Sequence, residues 1–272
     1  MNKLKLFATA LLLVAIISSC KKETSRESEA ITSASSKKAA ETKATWVTVI
    51  PASSFSSLST YWNNLYPWGS DHNGTARMRT QNISVSGGVL TLSATPTSGV
   101  GNSNKDPYLP IHYYSGAIHS IVKPVVDASW PKWRFSGEFQ APSTRGTWPA
   151  FWITGADSWP PETDILEYKG SATNWCNTYD GGWESTGVNI SSPGNWHTYT
   201  AYVWRIGTTN NVTVEYWIDG VKRATHTGTN FVGKRFNVII NLQMEGSSGS
   251  PGPTGTTYYR ARNVVVQKSA TL

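Results

Sequence analysis

The sequence predicts an all-β fold, a sandwich of two antiparallel sheets. Short apolar–polar alternations recur along the chain, turn residues separate them, and no window keeps a helical period. About a dozen strands at this spacing are typical of a sandwich. One sheet of such a fold can curve, so that its outward face becomes a groove. The clearest predicted strands are 89–94, 133–141, 148–154, 197–206, 212–218, 237–245 and 263–267.

Residues 1–20 predict an export signal and not a part of the fold. Two lysines precede an apolar run from Leu6 to Ile17, which is too short for a comfortable membrane span. Two serines then precede Cys20, an arrangement similar to the end of a bacterial lipoprotein signal. We expect lipidation of Cys20 and attachment to the bacterial outer membrane, at the cell surface or on the periplasmic face. A simple signal peptide cleaved nearby is the alternative.

Composition separates a tether from a single folded domain. Residues 21–45 are mainly Ser, Thr, Ala, Lys and Glu without an aromatic residue, so they cannot bury enough surface to fold. All 13 Trp lie from Trp46 onward. The predicted catalytic domain, 46–272, is long enough for one large sandwich and short for two.

Charge and cysteine content exclude several classes of protein. The domain has 16 Lys and Arg against 13 Asp and Glu, scattered singly, so it lacks the basic stripe that nucleic-acid binding requires. Once Cys20 is lipidated, only Cys176 remains, and we expect it to be a small buried side chain in a monomer without disulfides. The five His are dispersed, and no cluster has metal-ligand spacing.

Three carboxylates fall within six residues of one strand-like run, Glu162 to Glu167. Side chains alternate along a strand, so Glu162 and Asp164 share a face and Glu167 should point away. A bulge at Ile165 or Leu166 returns Glu167 to that face, and bulges are enriched beside active sites. Leaning inward, the two glutamates reach the carboxylate spacing of about 5 Å of a retaining glycosidase. The alternative is an exposed strand with solvated acids.

Tryptophans precede the acidic run. In 148–153, Trp148 and Trp152 flank an alanine on one face, while the other face is apolar and suits a core. Sugar rings stack on indole faces, so we predict that both tryptophans contact substrate; core packing is the alternative. Trp159 and Trp183 are further candidates for sugar contact in loops.

The run 237–245 has two different faces. Its apolar face, which suits the core, comprises Val238, Ile240, Leu242 and Met244. Its polar face offers a row of hydrogen-bonding groups, namely Asn237, Asn241, Gln243 and Glu245. We take the last three of these as candidate substrate-binding residues.

Taken together, these motifs resemble glycoside hydrolase family 16. The acidic motif follows Gly146-Thr-Trp-Pro-Ala-Phe-Trp152 and precedes Trp196-His-Thr-Tyr199 and Tyr216-Trp-Ile-Asp-Gly220. That family includes laminarinases, agarases, porphyranases, carrageenases and endo-β-1,3-galactanases. The resemblance spans 46–268 and implies a jelly-roll sandwich, similar to concanavalin A, with an open cleft. The bulged spacing is similar to that of the laminarinase and agarase branches.

The resemblance also implies site roles. Glu162 would be the nucleophile and Glu167 the general acid/base of a retaining double displacement. Asp164 would hold the hydrogen bonding and charge of the nucleophile. Physical chemistry agrees with this assignment in part, because three crowded carboxylates cannot all ionise at low cost, so at least one pKa rises.

The substrate is less constrained than the chemistry. The polar strand end near Gln243 and Glu245 favours a β-1,3-galactan as the polysaccharide substrate. An endo-β-1,3-glucanase (laminarinase) or a red-algal galactan hydrolase is the alternative within the family. A lectin-like sandwich that binds sugar without turnover is the alternative of another class, and a transglycosylase would use the same intermediate.

No cofactor is expected from the residues. Many family members hold a structural calcium through a late strand that bears an Asp. The corresponding stretch here, 261–266, reads Ala-Arg-Asn-Val-Val-Val. The resemblance therefore does not carry a calcium site to this chain.

Overall fold

The computed structural model describes residues 45–272 and confirms the all-β sandwich of two largely antiparallel sheets. The predicted signal peptide, Cys20 and the predicted tether up to residue 44 lie outside the described residues. The domain boundary at 46 therefore stays a prediction.

Within residues 45–272 there are seventeen strands and little helix. The helical pieces are α1 (Leu58–Tyr61) and the 3₁₀ turns Ser54–Ser57, Thr80–Asn82 and Gly246–Ser248. The strands are β1 (Trp46–Ile50), β2 (Trp62–Asn64), β3 (Ala76–Met78), β4 (Ile83–Ser86), β5 (Val89–Pro96), β6 (Tyr113–Ser115), β7 (Ala117–Ser120), β8 (Lys132–Gln140), β9 (Thr147–Gly155), β10 (Glu162–Glu167), β11 (Thr173–Tyr179), β12 (Trp183–Asn189), β13 (His197–Arg205), β14 (Val212–Ile218), β15 (Val221–Gly228), β16 (Phe236–Met244) and β17 (Thr257–Ser269).

The strands form one ten-stranded and one seven-stranded sheet. The larger has the order β15-β14-β13-β8-β17-β5-β6-β3, with β1 beside β17 and β4 beside β5. The smaller has the order β12-β11-β10-β9-β16-β7-β2. The chain has more strands than predicted because several, such as β2, β3 and β6, are three residues long. Three residues are too few to show an alternation of apolar and polar side chains.

The apolar core lies between the two sheets. Phe139 of β8 packs against Phe151 of β9 with ring centroids 4.9 Å apart, and against Tyr199 at 6.0 Å. All three rings are fully buried, and each contributes about 1.5–3 kcal/mol by leaving water. Because Phe151 faces the core, its neighbours on β9 face the opposite side of the smaller sheet, where the groove lies. Cys176 is buried, as predicted.

The residues at 261–266 do not fit a calcium ion. Calcium takes six to eight oxygen ligands. The carboxylate beside this stretch belongs to Glu138, and it accepts hydrogen bonds from Arg262 Nε at 2.8 Å and Asn263 Nδ2 at 2.7 Å. A guanidinium thus neutralises this carboxylate.

The part of the chain that the structure describes has no helix with the length and apolar character of a membrane span.

Candidate active site

The three acidic side chains of β10 lie in one cavity. In the pairing of β10 with β9, consecutive residues of β9 lie opposite Asp164 and Leu166, so Ile165 is the extra residue of a β-bulge. The bulge predicted from the sequence is therefore confirmed. It resets the alternation, and the cavity wall includes all three carboxylates, those of Glu162, Asp164 and Glu167.

Asn174 of β11 holds the bulge in place. The ladder between β10 and β11 covers only 162–164, and the buried backbone groups beyond it need other partners. The side chain of Asn174, which is fully buried, accepts a hydrogen bond from the Glu167 N–H at 3.0 Å and donates to the Ile165 carbonyl at 3.4 Å. The sequence analysis missed this residue, since no motif marks an asparagine that substitutes for a ladder.

Glu167 is surrounded by hydrogen-bond donors. The indole N–H of Trp148 donates to Oε1 at 2.7 Å. The amide of Asn177 donates to Oε2 at 2.7 Å and also to Asp164 Oδ2 at 2.9 Å, so it bridges two members of the trio. Lys169 Nζ lies 2.9 Å from the same Oε2. Together these three contacts fix the position and orientation of the Glu167 carboxylate.

The other two carboxylates are more easily protonated than usual. Burial, followed by the negative charge of Glu167, raises the pKa of Glu162 to about 7. Burial, followed by the charges of Glu167 and Glu162, raises the pKa of Asp164 well above its ordinary range. The trio therefore keeps at least one proton at neutral pH, as expected for three crowded acids.

The groove extends on both sides of the trio. The central cavity has a volume of about 340 Å³, including the space at its mouth. A second cavity of about 980 Å³ shares His72, Trp152 and Glu162 with it. A third, of about 900 Å³, is bordered by Lys169 and Asn177, which both contact Glu167. This shape suits a chain of several sugars.

Trp148 and Trp152 form the wall of the central cavity. They are 8% and 5% exposed, and both indole N–H groups are used within the protein. Trp148 donates to Glu167 and Trp152 donates to Asn241 Oδ1, each at 2.7 Å. Both residues therefore orient polar groups of the site, in addition to lining it.

Trp159 and Trp183 are exposed, at 57% and 54%, on either side of Tyr179. Trp159 stacks on the Tyr179 ring at 4.4 Å and donates to Glu162 Oε2 at 3.1 Å. Trp183 lies 4.7 Å from the same ring and borders the third cavity. Their faces suit stacking with sugars outside the central cavity.

Two of the three predicted polar residues of β16 reach the cavity. Asn241 and Gln243 both line it. Gln243 Oε1 accepts the backbone N–H groups of Ala76 at 2.8 Å and Met244 at 2.9 Å, which fixes the orientation of its amide. The acceptor oxygens of both amides are thus engaged within the protein, and the side chain of Gln243 also adjoins the buried Tyr66 hydroxyl.

Glu245 does not belong to this row, so its predicted place there was wrong. β16 ends at Met244, and Glu245 turns away with φ 52° and ψ −139°. Its carboxylate accepts hydrogen bonds from Thr75, His112, Ser250 and the Gly252 N–H at 2.6–2.9 Å. The alternation of a regular strand could not reveal this turn.

His72 and Asn73, which the sequence analysis missed, close the cavity from a loop between β2 and β3. The His72 ring stacks on Trp152 at 6.0 Å, and burial together with Lys105 lowers its pKa to about 4, so it is neutral at pH 7. Asn73 Oδ1 is buried without a hydrogen-bond partner in residues 45–272. The adjacent Gly74 is the residue in the sequence that could have drawn attention to this loop. Only glycine fits there, because a Cβ would lie 2.5 Å from the Met244 carbonyl oxygen.

The described residues contain no group of three or more His, Cys, Asp and Glu side chains that could hold a metal ion.

Comparisons with known proteins identify a close relative and structures that share the fold. No protein-family model matches the chain. It is 49% identical over 226 residues to a galactan endo-beta-1,3-galactanase of Flammulina velutipes, which covers 82% of this chain and 90% of the relative. Two solved structures share the fold. One is a non-specific endo-beta-1,3(4)-glucanase from family GH16, with TM-score 0.60 and 16% identity over 76% of this chain and 84% of the other. The other is an endo-beta-1,3-glucanase from Pyrococcus furiosus, with TM-score 0.62 and 18% identity over 78% and 89%.

Proposed function

The chain belongs to glycoside hydrolase family 16, and on this premise we propose that it is a retaining endo-β-1,3-galactanase. The identity to the fungal galactanase carries the proposal. The buried carboxylate trio supports it, because a module that only binds sugar needs neither a bulge nor a cluster of like charges.

Catalysis proceeds in two displacements between Glu162 and Glu167. A Glu162 oxygen attacks the anomeric carbon while Glu167 gives its proton to the departing glycosidic oxygen. The C–O bond to the leaving chain breaks, and a glycosyl ester with Glu162 forms. Glu167, now ionised, takes a proton from water, whose oxygen displaces Glu162 and restores the original configuration. Asp164 adjusts the charge of its neighbours and forms no bond to the sugar.

Rescue by azide tests which glutamate is the nucleophile and which is the general acid/base. We expect azide to restore activity of both alanine variants on a dinitrophenyl β-1,3-galactobioside. Glu167→Ala should give the β-glycosyl azide, because the ester on Glu162 still forms. Glu162→Ala should give the α-glycosyl azide by a single inversion. An α-glycosyl azide from Glu167→Ala and a β-glycosyl azide from Glu162→Ala would show that the two roles are reversed.

The polar wall of the central cavity supports galactose as the preferred sugar. Galactose carries an axial 4-hydroxyl, and leaving it without a partner costs about 1–3 kcal/mol. Asn73 Oδ1 and Gln243 Nε2 are buried without hydrogen-bond partners in the described part of the chain. Asn73 Oδ1 provides an acceptor for sugar hydroxyls and the NH₂ group of Asn241 provides a donor, while the side chain of Gln243 adjoins the buried Tyr66 hydroxyl.

Side-by-side digestion of a β-1,3-galactan and laminarin at equal concentration tests the substrate. We expect a higher kcat/KM on the galactan and early release of short oligosaccharides, since the groove is open at both sides. A higher kcat/KM on laminarin would support the laminarinase alternative. A red-algal galactan belongs in the same series. Release of only monosaccharide would contradict internal cleavage.

The same assay separates the remaining alternatives. A lectin-like protein would keep its function in Glu162→Gln, whereas a hydrolase loses turnover and keeps binding. A transglycosylase would produce oligosaccharides longer than the supplied acceptor. For a hydrolase, mass spectrometry in ¹⁸O-water should show one ¹⁸O at each new reducing end.

We also propose that the protein is a monomer tethered to the bacterial outer membrane by a lipid on Cys20. The support is the sequence of residues 1–20. Cell fractionation of the full chain should find the wild-type protein with membranes and Cys20→Ala in the soluble exported fraction. Light scattering of the chain from residue 46 should give the mass of one copy. Equal distribution of both proteins, or a larger mass, would contradict these two proposals.

A further inference from the structure

A lysine lies at the boundary between the central and third cavities. Lys169 follows β10 by two residues, and its side chain is 31% exposed. Its Nζ lies 2.9 Å from Glu167 Oε2 and 6.0 Å from the Trp148 ring centroid. The Trp148 indole donates to the other oxygen of the same carboxylate. Lys169 and Trp148 therefore hold Glu167 from two sides.

Lys169 is the cation in contact with the trio among residues 45–272. The cavity wall contributed by β9, β11 and β16 is uncharged there, and consists of Trp148, Ala150, Trp152, Asn177, Asn241 and Gln243. From the loop before β3 comes His72, which is neutral because burial lowers its pKa to about 4. Cys176 of β11 is neutral as well, since burial raises its pKa to about 12. Lys105 borders the second cavity together with Asp106.

We propose that Lys169 is a positioning residue that sets how many protons the carboxylate trio holds and keeps Glu167 aimed at the leaving oxygen. The assignment of Glu167 as the acid rests on the proposed function. The effect of Lys169 on the number of bound protons does not depend on the proposed function. It concerns three carboxylates and one ammonium group, whatever the substrate.

The sign of the effect follows from Coulomb interactions. Burial and neighbouring carboxylates raise the pKa of Glu162 and of Asp164, and Lys169 opposes both rises. Removing Lys169 leaves these carboxylates protonated to higher pH. On the acidic side of the pH profile, the acid limb, activity needs ionised Glu162. The acid limb of kcat/KM should therefore shift to higher pH.

The pH dependence of kcat/KM on a β-1,3-galactan provides the first test. In Lys169→Met the acid limb should move to higher pH by about one unit, and Lys169→Arg should restore most of the wild-type profile. Lys222→Met is the matched control, because Lys222 pairs with Glu215 at 2.9 Å on the larger sheet. An acid limb that is unchanged in Lys169→Met, or that moves equally in Lys222→Met, would overturn the inference.

A titration without substrate keeps the inference testable if the galactan assay fails. The ¹³C signals of labelled Glu and Asp carboxyls, assigned with Glu162→Gln and Asp164→Asn, report each protonation midpoint. In Lys169→Met, or in Lys169→Gln if that variant folds better, the midpoints of Glu162 and Asp164 should rise. Raised midpoints in a protein inactive on galactan would uphold the role of Lys169 and reject the substrate. Unchanged midpoints would reject the role of Lys169 whatever the activity.

Discussion

The carboxylate trio of β10 and the single carboxylate of Glu245 differ, because the protein shifts the pKa values of Glu162 and Asp164 in one direction and that of Glu245 in the other. The trio of β10 has a pKa of about 7 for Glu162 and a strongly raised pKa for Asp164. Glu245, just past the end of β16, is 2% exposed, compared with 4% for Asp164 and 6% for Glu167. Burial alone would raise its pKa as well, yet hydrogen bonds from His112, Gly252, Ser250 and Thr75 hold it below the ordinary value.

The difference lies in the number of donors for each carboxylate. Each oxygen of Glu245 accepts two hydrogen bonds, so its charge is satisfied and it joins three loops. The trio places three acids in one cavity and shares the amide of Asn177 between two of them. Burial alone therefore does not decide the pKa of a carboxylate here. The pKa values of Glu162 and Asp164 rise because, besides their burial, like charges lie nearby and few donors reach them.

The largest expected effect separates the two groups by activity. Glu162→Ala and Glu167→Ala should each lower kcat by several orders of magnitude, because each removes a group that forms or breaks a bond in the transition state. Asp164→Asn should cost less than either. Steady-state kinetics with circular dichroism as a folding control measures this. Near-wild-type kcat in a folded Glu162 or Glu167 variant would refute the trio as the reactive group.

Removing the support of the bulge should come next in size. Asn174→Ala leaves the Glu167 N–H and the Ile165 carbonyl without their partner. We expect a loss of stability of about 1–3 kcal/mol and roughly a hundredfold lower kcat, since Glu167 no longer keeps its position. Denaturant unfolding and kinetics on one preparation measure both, with Asn189→Ala at the exposed end of β12 as control. Loss of stability with unchanged kcat would show that the bulge does not need Asn174.

Glu245→Ala should differ from the substitutions in the trio, because it should lower stability and leave kcat nearly unchanged. It leaves four donors without an acceptor, which costs about 2–3 kcal/mol and lowers Tm by roughly 5–10 °C. The kcat of the folded protein should stay near the wild-type value. Calorimetry and kinetics below the lower Tm test this. A hundredfold fall in kcat without a change in Tm would return Glu245 to the substrate-binding row.

The smallest effect concerns the stability cost of the trio. Because the pKa of Glu162 is raised in the folded state, its contribution to stability is full below pH 4.5 and is lost as the pH rises through about 7. Glu162→Gln cannot ionise, so it should equal wild type near pH 4 and exceed it by about 2 kcal/mol at pH 8. Denaturant unfolding at both pH values measures this, with the exposed Glu184→Gln as control. A Glu162→Gln variant less stable than wild type at pH 8 would contradict the raised pKa.

Much of this contrast could be predicted from the sequence. Alternation along 148–153 and 237–245 identified the core face and the groove face, because strand geometry imposes a period of two. The spacing of Glu162, Asp164 and Glu167 required a bulge for all three to share a face, and the structure has it at Ile165. These are local rules, and they hold within a single strand.

What the sequence could not supply depends on distant contacts. Asn174 and Asn177 act through hydrogen bonds to a neighbouring strand, and asparagine has no pattern that marks this use. His72 and Asn73 reach the cavity from a loop far away in the chain. Glu245 continues the polar alternation of β16, yet a positive φ turns it towards two other loops and the later part of its own. A period of two cannot show where a strand ends.

Trapping the glycosyl intermediate tests the central claim most directly. The folded domain would be incubated with a 2-deoxy-2-fluoro-β-1,3-galactobiosyl fluoride, whose fluorine slows both steps while its good leaving group lets the first proceed. Intact mass spectrometry should show the mass of one added 2-deoxy-2-fluorogalactobiosyl group. Peptide sequencing should place this group on Glu162, and Glu162→Gln should show no adduct. An adduct on Glu167 or on Glu245, or turnover by inversion without an adduct, would contradict the account.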